Sequence, residues 1–173
     1  HKSAVKYFKS AIEISHQAAL AREIGDHALL GQAYLAQGSK TAALKATTHA
    51  VKLHRDRGFP KVEDYPTQQI WWRHAQALQV NKKTKEARNA LETAYNFLLE
   101  GITNTSDEGI RRNYLNKIKV NREIIQAWLK DGTKRKLPKE RLFAHLNIES
   151  SLREPFERLV DTGLRLNALK SLS

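Results

Sequence analysis

Leu30-Gly31-Gln32-Ala33-Tyr34-Leu35-Ala36-Gln37-Gly38-Ser39-Lys40-Thr41-Ala42-Ala43-Leu44-Lys45-Ala46-Thr47-Thr48-His49-Ala50 is the stretch that decides the fold. It reads as two helical runs joined across Gly38-Ser39, and the rest of the chain can be overlaid on it. Ala4, Phe8, Ala11, Ile12 and Ile14 recur at a shift of 39 as Ala43, Thr47, Ala50, Val51 and Leu53. A further shift of 44 gives Ala87, Leu91, Ala94, Tyr95 and Phe97. Small residues at fixed places let antiparallel helices approach closely, and large apolar ones fill the gaps between successive pairs. The pattern predicts stacked helical hairpins.

Outward from this stretch, a first helix is expected over residues 3–23, burying Val5, Phe8, Ile12, Ala19 and Leu20 and ending at Gly25-Asp26. The second hairpin is expected over 27–37 and 40–57, closed by Gly58-Phe59-Pro60. A loop over 61–66 leads to Thr67 as N-cap and a third hairpin over 68–80 and 84–100, with Asn81-Lys82-Lys83 in place of the glycine turn. Ser106-Asp107-Glu108 opens a helix that should bury Ile110, Tyr114, Leu115 and Ile118. Asn121 should cap another, carrying Ile124, Ile125, Trp128 and Leu129 and ending at Gly132, before a basic loop over 131–139. Open solenoid ends need covering, so this pair is expected to be the C-terminal cap. Leu152, Phe156, Leu159, Gly163 and Leu166 are spaced by four, three, four and three, an a/d seam for a parallel helix partner or for packing back on the solenoid. The expected division is repeats over 1–101, capping helices over 102–132, and a basic loop and connector helix over 133–173.

The chain of 173 residues is 40% hydrophobic and 28% charged, an ordinary globular composition. Cysteine is absent, which excludes disulfides, thiolate zinc sites and iron-sulfur clusters and suits a reducing compartment, so a cytoplasmic location is expected. No apolar run approaches the roughly 20 residues of a membrane span. A start at His1, a lack of methionine and a stop within an apolar pattern read as a fragment of a longer protein. The net charge is +12, and residues 111–141 hold eleven basic against three acidic residues. Such an excess fits nucleic acid, anionic lipid, an acidic protein or a solvated linker. Lys134, Arg135, Lys136, Lys139 and Arg141 are the candidate anion contacts, although one basic loop lacks the alternating aromatic and basic platform of a single-strand binder.

Leu30, Gly31, Tyr34, Gly38, Ala43 and Ala50 resemble the tetratricopeptide (TPR) signature: a Leu-Gly, a Tyr three residues on, and two small residues in the second helix. In the next hairpin His74, Ala75 and Leu78 stand at the positions of Leu30, Gly31 and Tyr34, and Trp71 supplies an early aromatic. Steps of 39 and 44 exceed the common 34 and resemble longer-helix variants in large bacterial regulators. Trp71-Trp72, Leu91-Glu92-Thr93-Ala94-Tyr95 and Arg111-Arg112-Asn113-Tyr114-Leu115 resemble the end of the repeat region in multidomain ATPase and cyclase regulators. The stretch from Leu152 to Gly163 resembles the connector that precedes a GAF sensor domain. The resemblance implies an all-α fold, a right-handed α-α superhelix of TPR-like hairpins with a helical cap and connector. It also implies a noncatalytic protein-interaction and scaffold module of a bacterial signal-transduction protein.

The residues themselves give no chemistry. No Gly-Lys-Ser/Thr phosphate loop exists, no serine lies in a Gly-x-Ser-x-Gly elbow, and the seven histidines include no His-x-x-x-His pair, so no enzyme, cofactor or metal is expected. His74 reads either as a histidine hydrogen-bonded to a backbone carbonyl or as a catalytic group. The expected site is a concave surface lined by Gln32, Gln69, Trp72, Gln76 and Gln79, where an aromatic ringed by amides suits a protein or peptide ligand. Packing of Trp72 under the 61–66 loop is the other placement open to it. Self-association through the C-terminal seam and an accessory nucleic-acid-binding role for 111–141 complete the expected partners.

Overall fold

The computed structural model describes residues 1–17, 21–62, 65–103, 105 and 107–146; the seam expected over Leu152, Phe156, Leu159, Gly163 and Leu166 lies outside them, as do Ala19 and Leu20. The described residues are all-α. In chain order the helices are α1 (Lys2–Gln17), α2 (Arg22–Ala36), α3 (Lys40–Asp56), α4 (Thr67–Val80), α5 (Thr84–Thr103), α6 (Glu108–Asn116), α7 (Lys119–Lys134) and the single turn α8 (Lys139–Leu142), followed by a 3-10 turn over Ala144–Leu146. Val62 and Tyr65 form an isolated bridge in the loop before α4. Two compact units divide the chain, residues 1–94 and 95–173, with the boundary inside α5.

In the first unit α2 packs on α1, α3 and α4, and α3 packs on α4. The turns after α2 and α4 make the same backbone bonds at a shift of 44. Gly38 N–H donates to Leu35 O and Ser39 N–H to Tyr34 O; Lys82 N–H donates to Gln79 O and Lys83 N–H to Leu78 O. Both are Schellman closures, in which the residue after the C-cap turns left-handed and frees the next amide to reach back five residues. Gly38 takes φ +78° without a Cβ penalty, whereas Lys82 takes φ +62° with one. The ends of α3 and α7 close identically, through Gly58 and Lys136.

Burial follows the same register. Ala43, Thr47, Ala50 and Val51 of α3 are buried and Leu53 is half-buried; Ala87, Leu91, Ala94, Tyr95 and Phe97 of α5 repeat that order. Ala4, Phe8, Ala11 and Ile12 of α1 are only half-buried and Ile14 is 67% exposed, so α1 shares the template without the covering helix. The α2–α3 pair is tight at Gly31, where an added Cβ would lie 2.3 Å from Thr47 Cγ2. Bulk has been removed there so that the two backbones can meet.

Several expected boundaries move, each for a packing reason. Gly25-Asp26 does not end the first helix: α1 stops at Gln17 and both residues lie inside α2, where a Cβ on Gly25 would press on Tyr65 at 3.2 Å. Asp26 is buried, accepts from Ser15 Oγ at 3.1 Å and lies 3.9 Å from Arg22 Nε, a paired interior carboxylate that sequence reads as a turn residue. Thr67 is the first residue of α4 rather than its cap; Pro66 holds that position without a side-chain bond. Helix α5 runs through Gly101, which faces Tyr114 closely instead of ending the repeat.

In the second unit, Asp107 caps α6 by accepting from Ile110 N–H at 2.8 Å. Ile110 is 58% exposed and Ile118 is also exposed, against expectation; Leu115 is buried, and Arg111 takes an interior place by donating from Nε to Thr105 O. Asn121 lies inside α7, not at its start, and donates from Nδ2 to Tyr114 O at 2.8 Å, bracketing the α6–α7 turn. Gly132 also lies inside α7, because Leu142 and Leu137 pack where its side chain would be; the helix ends only at Lys134. Tyr95 stacks on Trp128, with ring centroids 4.5 Å apart and planes 12° apart. Its hydroxyl accepts from His145 N–H at 3.1 Å and also hydrogen-bonds His145 Nδ1 at 2.8 Å. Burial holds the Tyr95 phenol above its usual range and pushes His145 down to about 4, so both stay neutral near pH 7.

Candidate functional site

Helix α4 packs on α2 and α3, and Gln69, Gln76 and Gln79 share one side of it by helical spacing. Gln69 and Gln76 are half-buried and Gln79 is exposed; Gln32 of α2, 44 positions before Gln76, is half-buried like it. Arg73 Nη1 donates to Gln76 Oε1 at 2.9 Å, which fixes that amide. Trp72 is 8% exposed, so little of its ring is available to a ligand and the amides form the accessible part of this face.

Polar groups also join α3 to α4. His74 replaces the leucine of the template and its Nδ1 lies 3.1 Å from Thr47 Oγ1. The Thr47 hydroxyl also reaches Ala43 O at 3.0 Å and Leu44 O at 3.2 Å, so it links the α3 backbone to the His74 ring. The partner is thus a hydroxyl and not the expected carbonyl. Burial first, and Arg55 nearby second, push His74 down to about 4. Trp71 Nε1 donates to His54 Nδ1 at 3.1 Å, and His54 is likewise lowered by burial, against a raising backbone bond at Pro60.

The basic candidates separate into two groups. Arg135 is held by Asp131 at 2.8 Å and lies over the Trp128 ring, 5.5 Å from its centroid, so it is a structural cation of α7. Lys134, Lys136, Lys139 and Arg141 are exposed. Arg141 contributes its carbonyl to Trp128 Nε1 at 3.4 Å.

A different constellation gathers where α1, α2 and α3 meet. Glu23 and His27 are one turn apart on α2, and His49 faces them from α3, with one donor atom of each within 4.8 Å of the others. The His27 and His49 rings lie 4.3 Å apart at 66°. Glu23 is 2% exposed; its Oε1 meets His16 Nδ1 at 2.8 Å and its Oε2 accepts from Arg57 Nη2 at 2.6 Å. Burial alone would raise the Glu23 carboxyl, but the bonds from Arg57 and His16 outweigh it and hold the group below its ordinary value. Burial, with His49 beside it, pushes His27 down to about 4, and its Nδ1 is withdrawn from water without a hydrogen-bond partner. The search for His-x-x-x-His missed this group because the helical spacing is Glu23-x-x-x-His27. The 21 residues between His27 and His49 give no sequence signal of their meeting.

Compared with family models, with curated proteins and with solved structures, the chain matches none at a significant level.

Proposed function

We propose that this chain is a noncatalytic protein-interaction module of TPR-like hairpins, with the row Gln32, Gln69, Gln76 and Gln79 as the ligand-facing side. The observation that carries this reading is the identity of the turns at Gly38 and Lys82 at a shift of 44, together with half-exposed amides at the equivalent positions Gln32 and Gln76. A repeated scaffold that presents the same amide from successive helices suits the backbone groups of an extended peptide, which offer donors and acceptors at regular intervals. The right-handed superhelix and a place in a larger cytoplasmic signalling protein, next to a GAF sensor domain, follow from the resemblance and belong to the proposal.

A photo-crosslinking amino acid placed at Gln76, and separately at Lys85 on α5, tests the reading in cells. Crosslinks to a defined protein from position 76 and not from position 85 are expected. Equal labelling from both positions, or none from 76, would overturn it. The alternative, nucleic-acid binding through the exposed Lys134, Lys136 and Lys139, predicts affinity that falls steeply with salt and drops when the three are changed to Gln.

A further inference from the structure

We propose that Glu23, His27 and His49 form a binding site for a divalent first-row transition ion, zinc in the first instance, with the exposed ring of His16 as a fourth ligand. One carboxylate oxygen and two or three imidazole nitrogens are a donor set suited to such ions and unsuited to the oxygen-only preference of Ca²⁺ or Mg²⁺. The donor atoms lie within 4.8 Å of one another, and tetrahedral bonds of about 2.0–2.2 Å would hold them roughly 3.3–3.6 Å apart, so binding draws the three side chains together by up to about 1.5 Å.

Three features of the site ask for an ion. Glu23 is a buried carboxylate whose Oε1 is met only by the exposed His16 ring, an anionic oxygen at the edge of a helical stack that a cation could take over. Arg57 binds only Oε2 and so fixes the plane of the carboxylate from outside, as an outer-shell partner does, leaving Oε1 toward the histidines. His27 Nδ1 is buried with no hydrogen-bond partner, a lone donor or acceptor that protein interiors rarely leave unused. His49 and His16 are exposed, which opens the cluster to solvent and supplies the route by which an ion arrives; His16 is 75% exposed and free to rotate from Glu23 onto the metal. Once bound, the ion would fasten α1 and α3 to α2 at one point.

The test uses the 173-residue chain without a histidine tag and with His1→Ala, so that the imidazole at residue 1 adds no second site. Titration with Zn²⁺ by calorimetry, and with Co²⁺ by visible absorption, should show one equivalent bound with Kd of about 10 µM or tighter and a spectrum of nitrogen and oxygen ligation. His49→Ala and His27→Gln should each weaken binding roughly 10- to 100-fold. Lys52→Ala, on the same helix as His49, should leave it unchanged. His49 is exposed, so its variant should keep the helical circular dichroism of the parent and lose only the rise in Tm on adding Zn²⁺. No stoichiometric binding, or an affinity indifferent to His49→Ala in a folded chain, would overturn the proposal.

Discussion

The hairpin turns after α2 and α4 close through the same hydrogen bonds, yet three equivalent positions beside them differ: Gly31 against Ala75, Leu30 against His74, and Gly38 against Lys82. The backbone pattern survives all three differences. What sets this pattern is the left-handed residue after each helix and the long reach of the following amide; the side chains then adjust how closely and how wetly the helices meet.

The largest effect should come from closing the gap at the first of these positions. Gly31→Ala makes the first hairpin resemble the second, and intrinsic helix propensity favours it by about 1 kcal/mol. The added methyl, however, would stand 2.3 Å from Thr47 Cγ2 and 3.3 Å from Ala43 O, and the backbone oxygen cannot move aside cheaply. A net loss of about 2–3 kcal/mol in urea-induced unfolding is expected. Thr47→Ser removes the offending methyl while keeping the hydroxyl bonded to Ala43 O and His74, so the double variant should recover most of the loss. A single variant as stable as the parent would show that the α2–α3 spacing is set elsewhere.

His74 gives the comparison a pH dependence. Its pKa is lowered from 6.5 to about 4 in the folded chain, so on acidification the unfolded chain takes up the proton first. Stability is therefore intact above pH 6.5 and falls as pH drops from 6.5 toward 4, by on the order of 2 kcal/mol for this group. His145, lowered for the same reason in the second unit, adds a loss of the same sign. His74→Leu restores the residue of the first hairpin and should reduce the slope of unfolding free energy between pH 6.5 and 4.5 while leaving the shares of His27, His54 and His145. An unchanged slope in the variant would mean that His74 is protonated in the fold at little cost.

How much of this was legible follows from which signals are local. The helices α3, α4 and α5 and the 44-residue register could be read, because buried apolar and small residues recur at helical spacing and Gly38-Ser39 marks a turn. Gly25, Gly101 and Gly132 misled the reading for one shared reason. Glycine next to a polar residue reads as a stop, yet Tyr65, Tyr114 and Leu142 occupy the space of their missing side chains, and those partners are distant in sequence. Ile110 and Ile118 misled it differently: the interior place on α6 is taken by Arg111, whose guanidinium has a carbonyl within reach, and Ile118 lies beyond α6, at the cap of α7, where the helical period no longer applies. Helical spacing alone puts Gln69, Gln76 and Gln79 on one side of α4 and leaves Trp72 with two open placements, between which its burial decides; the meeting of His27 with His49 has no local signal, since it depends on how α2 and α3 pack.

The smallest effect lies at the turns themselves, and it has opposite signs in the two hairpins. Gly38 at φ +78° meets nothing within 4 Å of an added Cβ, so a side chain there is opposed by the left-handed backbone alone. Lys82 already bears that cost at φ +62°. A left-handed non-glycine residue costs about 1–2 kcal/mol, while glycine loses roughly 0.5–1 kcal/mol more than other residues in ordering the backbone. The difference predicts that Lys82→Gly stabilises by about 0.5–1 kcal/mol and that Gly38→Lys destabilises by about the same amount. The second turn has a compensation the first lacks: Asn81 Nδ2 donates to Ala77 O at 2.7 Å and to Lys40 O at 2.9 Å, tying the turn to the start of α3. In an Asn81→Ala background the chain is less stable, but the gain from Lys82→Gly should persist, because the strain is local to φ and independent of that bond. If the gain vanished with Asn81, the two turns would differ in their anchoring rather than in their backbone.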